Sequence, residues 1–408
     1  MATSSKPTAR SSDPHVRLSD RPRLPDSPEG RFGRLFPELP CHKASGEAVL
    51  RHGAAGGPLE DREGVHAKFR EDNPRIPAGW PFFGQFIAHD ITHDRAPLQE
   101  REALPQIQNF RRPKLDLECL YDAGPVGQPY LYDVHDPDKL LIGHGSTSVG
   151  DLPRNQQGLA LVGNARNDTH LFISQLHLAF LHFHNRVVDA VRQKGAAAAQ
   201  VFDRSAQLVR WHYQWIVLHE FLPLMVGNDL VSELLQSGPK ICRFEDRPFI
   251  PVEFSDGAYR FGHAQVRSKY DVNDRVRDEP LFPDLVGICP VTPDRQVHWK
   301  RMFQFKDGAP PQASRRIGPL LVPALMKLPE ALVGHPERPE FSSLASRDLY
   351  RGHAVELPCG EAVARAMGIE PCSRKPKLST KGNIRGRWEE ESWRKLFSSS
   401  CGTIRIRC

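Results

Sequence analysis

The sequence lacks most of the features that place a chain quickly. No apolar run reaches the ~18 residues that a membrane-spanning helix needs, and residues 1–30 contain no hydrophobic segment of the kind that opens a secretory signal. A chain with neither is expected in the cytoplasm, without export by a standard signal. Eight cysteines (Cys41, Cys119, Cys242, Cys289, Cys359, Cys372, Cys401, Cys408) are scattered with no CxxC pair. That spacing argues against a zinc ribbon or a disulfide scaffold and for reduced, mostly structural thiols. There is no Gly-rich phosphate loop and no internal repeat. Strand signals are few, the clearest being Tyr130-Leu131-Tyr132-Asp133 and Leu140-Leu141-Ile142, which predict one small hairpin.

What is present describes a globular, mainly α chain. Its 408 residues are 39% hydrophobic and 25% charged, with 36 Pro and 31 Gly marking many connections. The formal charge of +6 is not spread evenly. Residues 373–408 hold ten Lys/Arg against three Glu, a net +7, which leaves about −1 for the rest. The basicity belongs to a tail whose composition suits a solvated, disordered end, so nucleic-acid binding is not expected. Residues 1–30 are polar, Pro-rich and without apolar period, and are expected to be disordered. These shifts divide the chain into a disordered segment over 1–30, one folded domain over 31–371 and a divergent basic tail over 372–408.

Inside the domain, Phe82, Phe83, Phe86 and Ile87 follow a turn at Ala78-Gly79-Trp80-Pro81 and predict a helix carrying Gln85, His89 and His93 about one turn apart each. Residues 168–191 read as a long, largely buried helix interrupted by His177, His182 and His184. Residues 207–226 read as a second helix, ending or kinking near Pro223, and residues 259–269 as a short third.

The stretch "GQFIAHDITHD" packs two His and two Asp into six positions. His89 and His93, four apart with Asp90 after the first, have the spacing that puts two imidazoles on one helical face for zinc. Asp is a methylene shorter than the Glu of that motif, however, and no third ligand motif follows, so a surface His/Asp cluster explains the pattern as well. Arg166 precedes the long helix, where a guanidinium must find an anion, a carboxylate or water, and Asp168 is close enough in sequence to pair with it. His263, in "YRFGH", is a lone histidine of the kind more often satisfied in a core than used as a ligand.

In order along the chain stand "GQFIAHDIT", "LDLECLY", "RND" before a long helix ending "HFHNRVVD", then "YRFGH" and "RDLYRGHAVELP". This series resembles the bacterial branch of the animal-type haem peroxidases, the peroxidase-cyclooxygenase superfamily, from about Phe32 to Pro371. The resemblance implies that family's helical domain with very little β structure, haem b as cofactor, hydrogen peroxide as oxidant, and a small reductant, a phenol or a halide, as the other substrate, with a role in the response to oxidative stress. It makes His89 the distal base that takes a proton from peroxide and returns it, a task suited to an imidazole with a pKa near 6.5. Gln85 becomes the residue that orients distal water or a small anion, and Arg166 the cation facing the charge that develops as the O–O bond breaks. It makes His263 the proximal ligand to iron, with Arg260 beside it. Asp348 stands where relatives carry Asn, and a carboxylate there pushes the imidazole towards imidazolate.

The departures carry their own implications. Relatives that bind haem through esters use an Asp and a Glu at positions that here are Ala88 and Thr169, neither of which can form an ester, so the haem is expected to be non-covalent. The family's calcium beside the distal His maps to Asp90, Asp116 and Glu118, hard oxygen donors of the right kind. Arg112 takes the place of a Thr ligand, and its cation opposes a bound metal. Relatives continue with further helices after the segment matching Met367-Gly368, which here gives way to the basic tail, as in a C-terminal truncation. Two alternatives follow: a degenerate, non-catalytic relative, to which Ala88, Thr169, Arg112 and the tail point, and a fatty-acid dioxygenase of the same superfamily. The dioxygenases carry a Tyr three residues before the proximal His. Here that position is Arg260, and Tyr259 lies one residue further away.

Overall fold

The computed structural model describes residues 31–62, 72–93, 108–143, 150–242, 248–306, 308–371, 377–378 and 384–385. The expectation of disorder over 1–30 lies outside these residues, as does most of the basic tail. Within the tail, Lys377–Leu378 and Ile384–Arg385 pair as antiparallel strands, where composition had suggested no strand at all.

Among the described residues the fold is helical with a few very short strands. The α-helices of eight or more residues among those described are α1 (Gly46–Gly53), α2 (Trp80–Ile91), α3 (Leu171–Gln193), α4 (Val201–Ile216), α5 (Asn228–Ser237) and α6 (Leu344–Ala354). Helix α2 is buried on nearly every side because its sequence is apolar on nearly every side: Trp80, Phe82, Phe83, Phe86, Ile87 and Ile91 all lie in the interior. Phe86 stacks on Phe180 of α3 with ring centroids 4.9 Å apart and planes 5° off parallel, and Tyr213 of α4 closes the cluster edge-on at 5.9–6.1 Å from Phe83, Phe86 and Phe180. This aromatic wedge locks α2 between α3 and α4.

The predicted helix over 207–226 is three pieces. Helix α4 runs from Val201 to Ile216, a π-type turn covers Val217–Phe221, and an α turn resumes at Leu222–Val226. Pro223 is the reason: its ring clashes with the carbonyl four residues earlier and it has no N–H to donate, so the ladder widens before it. The predicted hairpin is reduced to one bridge, Tyr132 to Leu140, flanked by bonds from Asp133 N to Lys139 O and from Leu141 N to Leu131 O, because Pro129–Leu131 turns as a 3-10 helix instead.

Strands tie distant segments together. β1 (Phe32–Gly33) pairs in parallel with β3 (Ile250–Pro251), and β2 (Asp72–Pro77) pairs antiparallel with β6 (Ala313–Arg315). β4 (Lys269–Tyr270) and β5 (Glu279–Pro280) make a further antiparallel pair. α6 is seated on α1 at contact distance. A Cβ on Gly53 would stand 2.4 Å from the Ser346 backbone nitrogen, Ser343 Oγ donates to Gly53 O at 2.6 Å and Ser346 Oγ to Leu50 O at 3.0 Å. This seating fixes α6, and with it Asp348.

Candidate active site

A cavity of about 390 Å³ opens between α2 on one side and, on the other, the 3-10 stretch Ala258–Gln265 with α6. Gln85, Ala88, His89, Arg166, Thr169, Arg260, His263 and Asp348 all line it. Residues separated by up to 263 positions in the chain therefore meet around one space, as the sequence motifs implied. A hydrogen bond of 2.8 Å from the Tyr259 hydroxyl to Gly84 O holds the two walls together.

On the α2 side, His89 is buried and its Nδ1 lies 2.7 Å from Asn167 Oδ1. Asn167 Nδ2 in turn lies 2.9 Å from Nδ1 of His177, on α3. Burial, and after it the charge of Arg166, pushes the His89 pKa well below its ordinary value. The ring is therefore neutral at pH 7 and able to accept a proton. Arg166 comes from the 3-10 turn Ala165–Asp168, capped by Asn164, whose side chain accepts from Arg166 N at 3.1 Å. The pairing with Asp168 that sequence proximity suggested does not form, because Asp168 is taken by Arg154 in a two-pronged bond of 2.6 and 2.9 Å. Arg166 instead donates to Asn164 Oδ1 and to the carbonyls of His89 and Thr92. Burial, then the repulsion of Arg111, lowers its pKa to about 9, and it keeps its charge at neutral pH. A guanidinium held only by neutral oxygens at a cavity wall is a ready partner for negative charge arising in that cavity.

His93 leaves this arrangement. α2 stops at Ile91 and Thr92 is extended (φ −132°, ψ 133°), its hydroxyl bonding back to Ala88 O at 2.6 Å. The four-residue spacing therefore no longer places His89 and His93 on one face, and the two-histidine zinc pattern dissolves.

Across the cavity, His263 Nδ1 is 2.6 Å from Asp348 Oδ2. Burial acts to raise the Asp348 pKa, but the charge and hydrogen bond of His263, with Arg260 and Arg351 nearby, hold it below the ordinary carboxylate value. Arg260 Nη2 lies 3.7 Å from Asp256 Oδ1, while its Nε is buried with no hydrogen-bond partner among the described residues. The 3-10 geometry, three residues per turn, sets Arg260 and His263 on one side. Tyr259 nevertheless reaches the cavity wall, which its offset in an α-helix would not have allowed.

The three acidic residues assigned to calcium do not converge. Asp90 accepts from the backbone N–H groups of Leu117 (3.1 Å) and Cys119 (3.3 Å), holding Leu117 in a left-handed conformation (φ 56°). Burial and the nearby Asp116 raise its pKa to about 7, and burial and Glu118 raise that of Asp116, whose Oδ1 is buried without a hydrogen-bond partner among the described residues. Glu118 turns to Arg111, 3.4 Å away, and accepts from Arg112 N at 3.1 Å. Among the described residues no group of three or more His, Cys, Asp or Glu side chains is arranged to hold a metal ion. Of the three carboxylates that the resemblance assigns to calcium, Glu118 is thus paired with a neighbouring arginine.

Sequence reasoning named no role for Asn167, His177 or His170. Asn167 sits in the same "RND" triplet as Arg166, which was the available signal; His170 caps the long helix and His177 lies among its apolar residues. No described helix is long and apolar enough to cross a membrane, and Cys41, Cys119, Cys242, Cys289 and Cys359 are free thiols.

Comparison with known proteins bears on the family and the fold. The chain is 26% identical over 134 residues to a chorion peroxidase of Drosophila melanogaster (30% of this chain, 17% of that protein) and 24% identical over 200 residues to a chorion peroxidase of Aedes aegypti (47% and 24%). It thus matches less than a quarter of the length of these relatives. In fold it is similar to peroxidase A from Dictyostelium discoideum, with a TM-score of 0.57 at 16% identity, covering 92% of this chain and 81% of that one. A fatty acid alpha-dioxygenase from Oryza sativa follows at 0.51 and 14%, covering 86% and 67%. The model of the animal haem peroxidase family matches residues 133–380, a span that runs past residue 371 and includes Arg166, Arg260, His263 and Asp348. Matched over more than half its length, the chain belongs to the animal haem peroxidase family.

Proposed function

We propose that the protein is a peroxidase that uses non-covalent haem b to reduce hydrogen peroxide and to oxidise small reductants, phenols or halides. The observation that carries this reading is the meeting of His89 and Arg166 on one wall of a cavity with the His263–Asp348 pair on the other.

The residues present fit a haem. Asp348 engages Nδ1 of His263, which leaves Nε2 as the nitrogen to ligate iron, and the orienting carboxylate is the arrangement that metal-bound imidazoles require. Phe82, Leu281, Leu325 and Leu344 supply apolar wall, and Arg260 and Arg351 supply cationic wall for a group that is apolar with acidic side arms. Ala88 and Thr169 face the cavity and offer no carboxylate for a covalent link. When bound, the haem supplies the two-electron redox chemistry that hydrogen peroxide reduction needs.

The rest falls to the chain. His89 takes a proton from hydrogen peroxide and gives it back to the oxygen that departs as water, a transfer that a neutral buried imidazole can perform in both directions. Arg166 stabilises the negative charge that grows on that oxygen, at no reorganisation cost because its carbonyl contacts already fix it. Gln85, one turn before His89, holds water or a small anion beside the reacting oxygen.

The test is reconstitution of the purified protein with haem. A Soret band, together with peroxide-dependent dye oxidation that is lost in His89→Leu and His263→Ala, is the expected result. A Soret band without turnover would identify the degenerate relative instead. Oxygenation of a fatty acid has one observation in its favour, the apolar lining that Leu281, Phe282, Leu325, Leu328 and Leu332 give the cavity. Against it stand Arg260 at the position of the radical-forming Tyr and the tethering of the Tyr259 hydroxyl to Gly84 O. Oxygen uptake with linoleate in the absence of peroxide would reverse the order.

A further inference from the structure

His170 lies at the cavity wall with the ring of Phe82 packed 5.0 Å away, and its two nitrogens have different partners. Nδ1 is 3.3 Å from the backbone nitrogen of Ile173, three residues on, where the ring acts as the N-cap of α3. Nε2 is 2.7 Å from Oε1 of Gln85, on α2. A backbone N–H can only donate, so Nδ1 must carry a lone pair. A neutral imidazole has one N–H, which is then on Nε2. That N–H can only donate, so the Gln85 amide must turn its oxygen to His170 and its NH2 away from it. The orientation of a side-chain amide, elsewhere a matter of choice, is here forced by a chain of two bonds that begins at a helix terminus.

We infer that His170 is a positioning residue that fixes the Gln85 amide with its NH2 turned into the cavity, so that the distal wall offers two donors, Gln85 and Arg166, to a small monovalent anion. Without His170 the amide is free to rotate and to present its oxygen, which repels the same ligand. The hydrogen-bond logic stands without any cofactor; only the site of the anion rests on the haem reading above.

Two variants separate positioning from capping. In His170→Ser the hydroxyl still caps α3, since serine accepts from the third backbone N–H of a helix, but it is too short to reach Gln85. In Gln85→Glu the bond from His170 is kept while an oxygen replaces the NH2. In the apoprotein, 15N spectra of histidine-labelled protein should show His170 protonated on Nε2 and bare on Nδ1. In the haem-loaded ferric protein, fluoride and azide should bind roughly tenfold more weakly to both variants than to the parent, as expected for one lost hydrogen bond to a charged group. Binding of the neutral ligand nitric oxide should not change. The inference is overturned if His170 carries its proton on Nδ1, if His170→Ser binds both anions as tightly as the parent, or if anions and nitric oxide weaken alike. A protein that takes up no haem would defeat the peroxidase reading, and the apoprotein spectra would still decide the His170–Gln85 bond.

Discussion

His89 and His263 face one cavity from opposite walls and differ in the group that stands behind each ring. Behind His89 is a neutral amide, Asn167 Oδ1 at 2.7 Å, itself 2.9 Å from the ring of His177. Behind His263 is a carboxylate, Asp348 Oδ2 at 2.6 Å, kept ionised by His263, Arg260 and Arg351 against the effect of its burial. With the amide oxygen towards it, neutral His89 carries its proton on Nδ1 and its lone pair on Nε2. A neutral backing group orients the ring and favours the imidazolium less than burial and the charge of Arg166 disfavour it, so a proton once accepted is readily returned. A charged backing group does the reverse: it polarises the N–H and makes the other nitrogen a stronger donor to a metal. On the function proposed above, one residue type would be set to two tasks, proton exchange and metal ligation, by its second neighbour.

The largest effect that can break this contrast is loss of the exchanging ring. His89→Leu is expected to slow the bimolecular reaction with hydrogen peroxide by ~10²–10⁴-fold, and Arg166→Leu by ~10²–10³-fold. Both should keep the Soret band. Stopped-flow rates within tenfold of the parent for His89→Leu would remove His89 from the proton transfer.

Exchanging the backing groups sharpens the contrast at smaller cost. Asp348→Asn should raise the iron reduction potential and lower activity by ~10–100-fold, the usual range for a residue that orients a metal ligand. In spectroelectrochemical titration, an unchanged potential would mean that the carboxylate does not act through His263. The converse, Asn167→Asp, places a charge behind His89 and should raise its pKa. Because only the unprotonated ring accepts a proton, the acid limb of the peroxide rate profile moves to higher pH. An unmoved limb would show that amide and carboxylate are equivalent there.

Much of this arrangement was legible before any coordinates. The apolar runs of α2 and α3 predicted their burial, and the order of the motifs brought Gln85, His89, Arg166, His263 and Asp348 to one place. What was not legible depends on bonds that only the folded chain makes. The end of α2 at Ile91 is set by Thr92 folding back on Ala88 O, so His93, regular in spacing, is not regular in space. Glu118 is withdrawn from the acidic cluster by Arg111, which a count of ligands cannot reveal. β2 contains two prolines, at positions 74 and 77, and was passed over as a strand, yet it pairs with β6 through a shifted register. His177 looked like a polar interruption of an apolar helix and His170 drew no reading, and both became visible only through partners ten and 85 residues away.

The smallest effect concerns the acidic pair Asp90 and Asp116 and leaves the peroxide rate aside. The Asp90 pKa is raised to about 7 by burial and by Asp116. For an acid whose pKa is higher folded than unfolded, the unfolded chain binds fewer protons between the two values. Stability from this group is therefore complete below about pH 4 and is lost as pH rises towards 7. Burial lowers His170 and His177 to about 3 and His184 to about 4, and these act in the opposite sense, losing stability as pH falls below 6.5. The Asp90 contribution is thus read as a difference. In calcium-free buffer, the thermal midpoint of Asp90→Asn relative to the parent should rise between pH 4 and pH 8, and a flat difference would mean that Asp90 ionises normally. Millimolar calcium at pH 8 adds the second half of the test. If Asp90 and Asp116 hold the ion despite the loss of Glu118 to Arg111, the parent midpoint rises and that of Asp90→Asn does not. If neither responds, Asp90 serves only to hold the 117–119 turn against the end of α2.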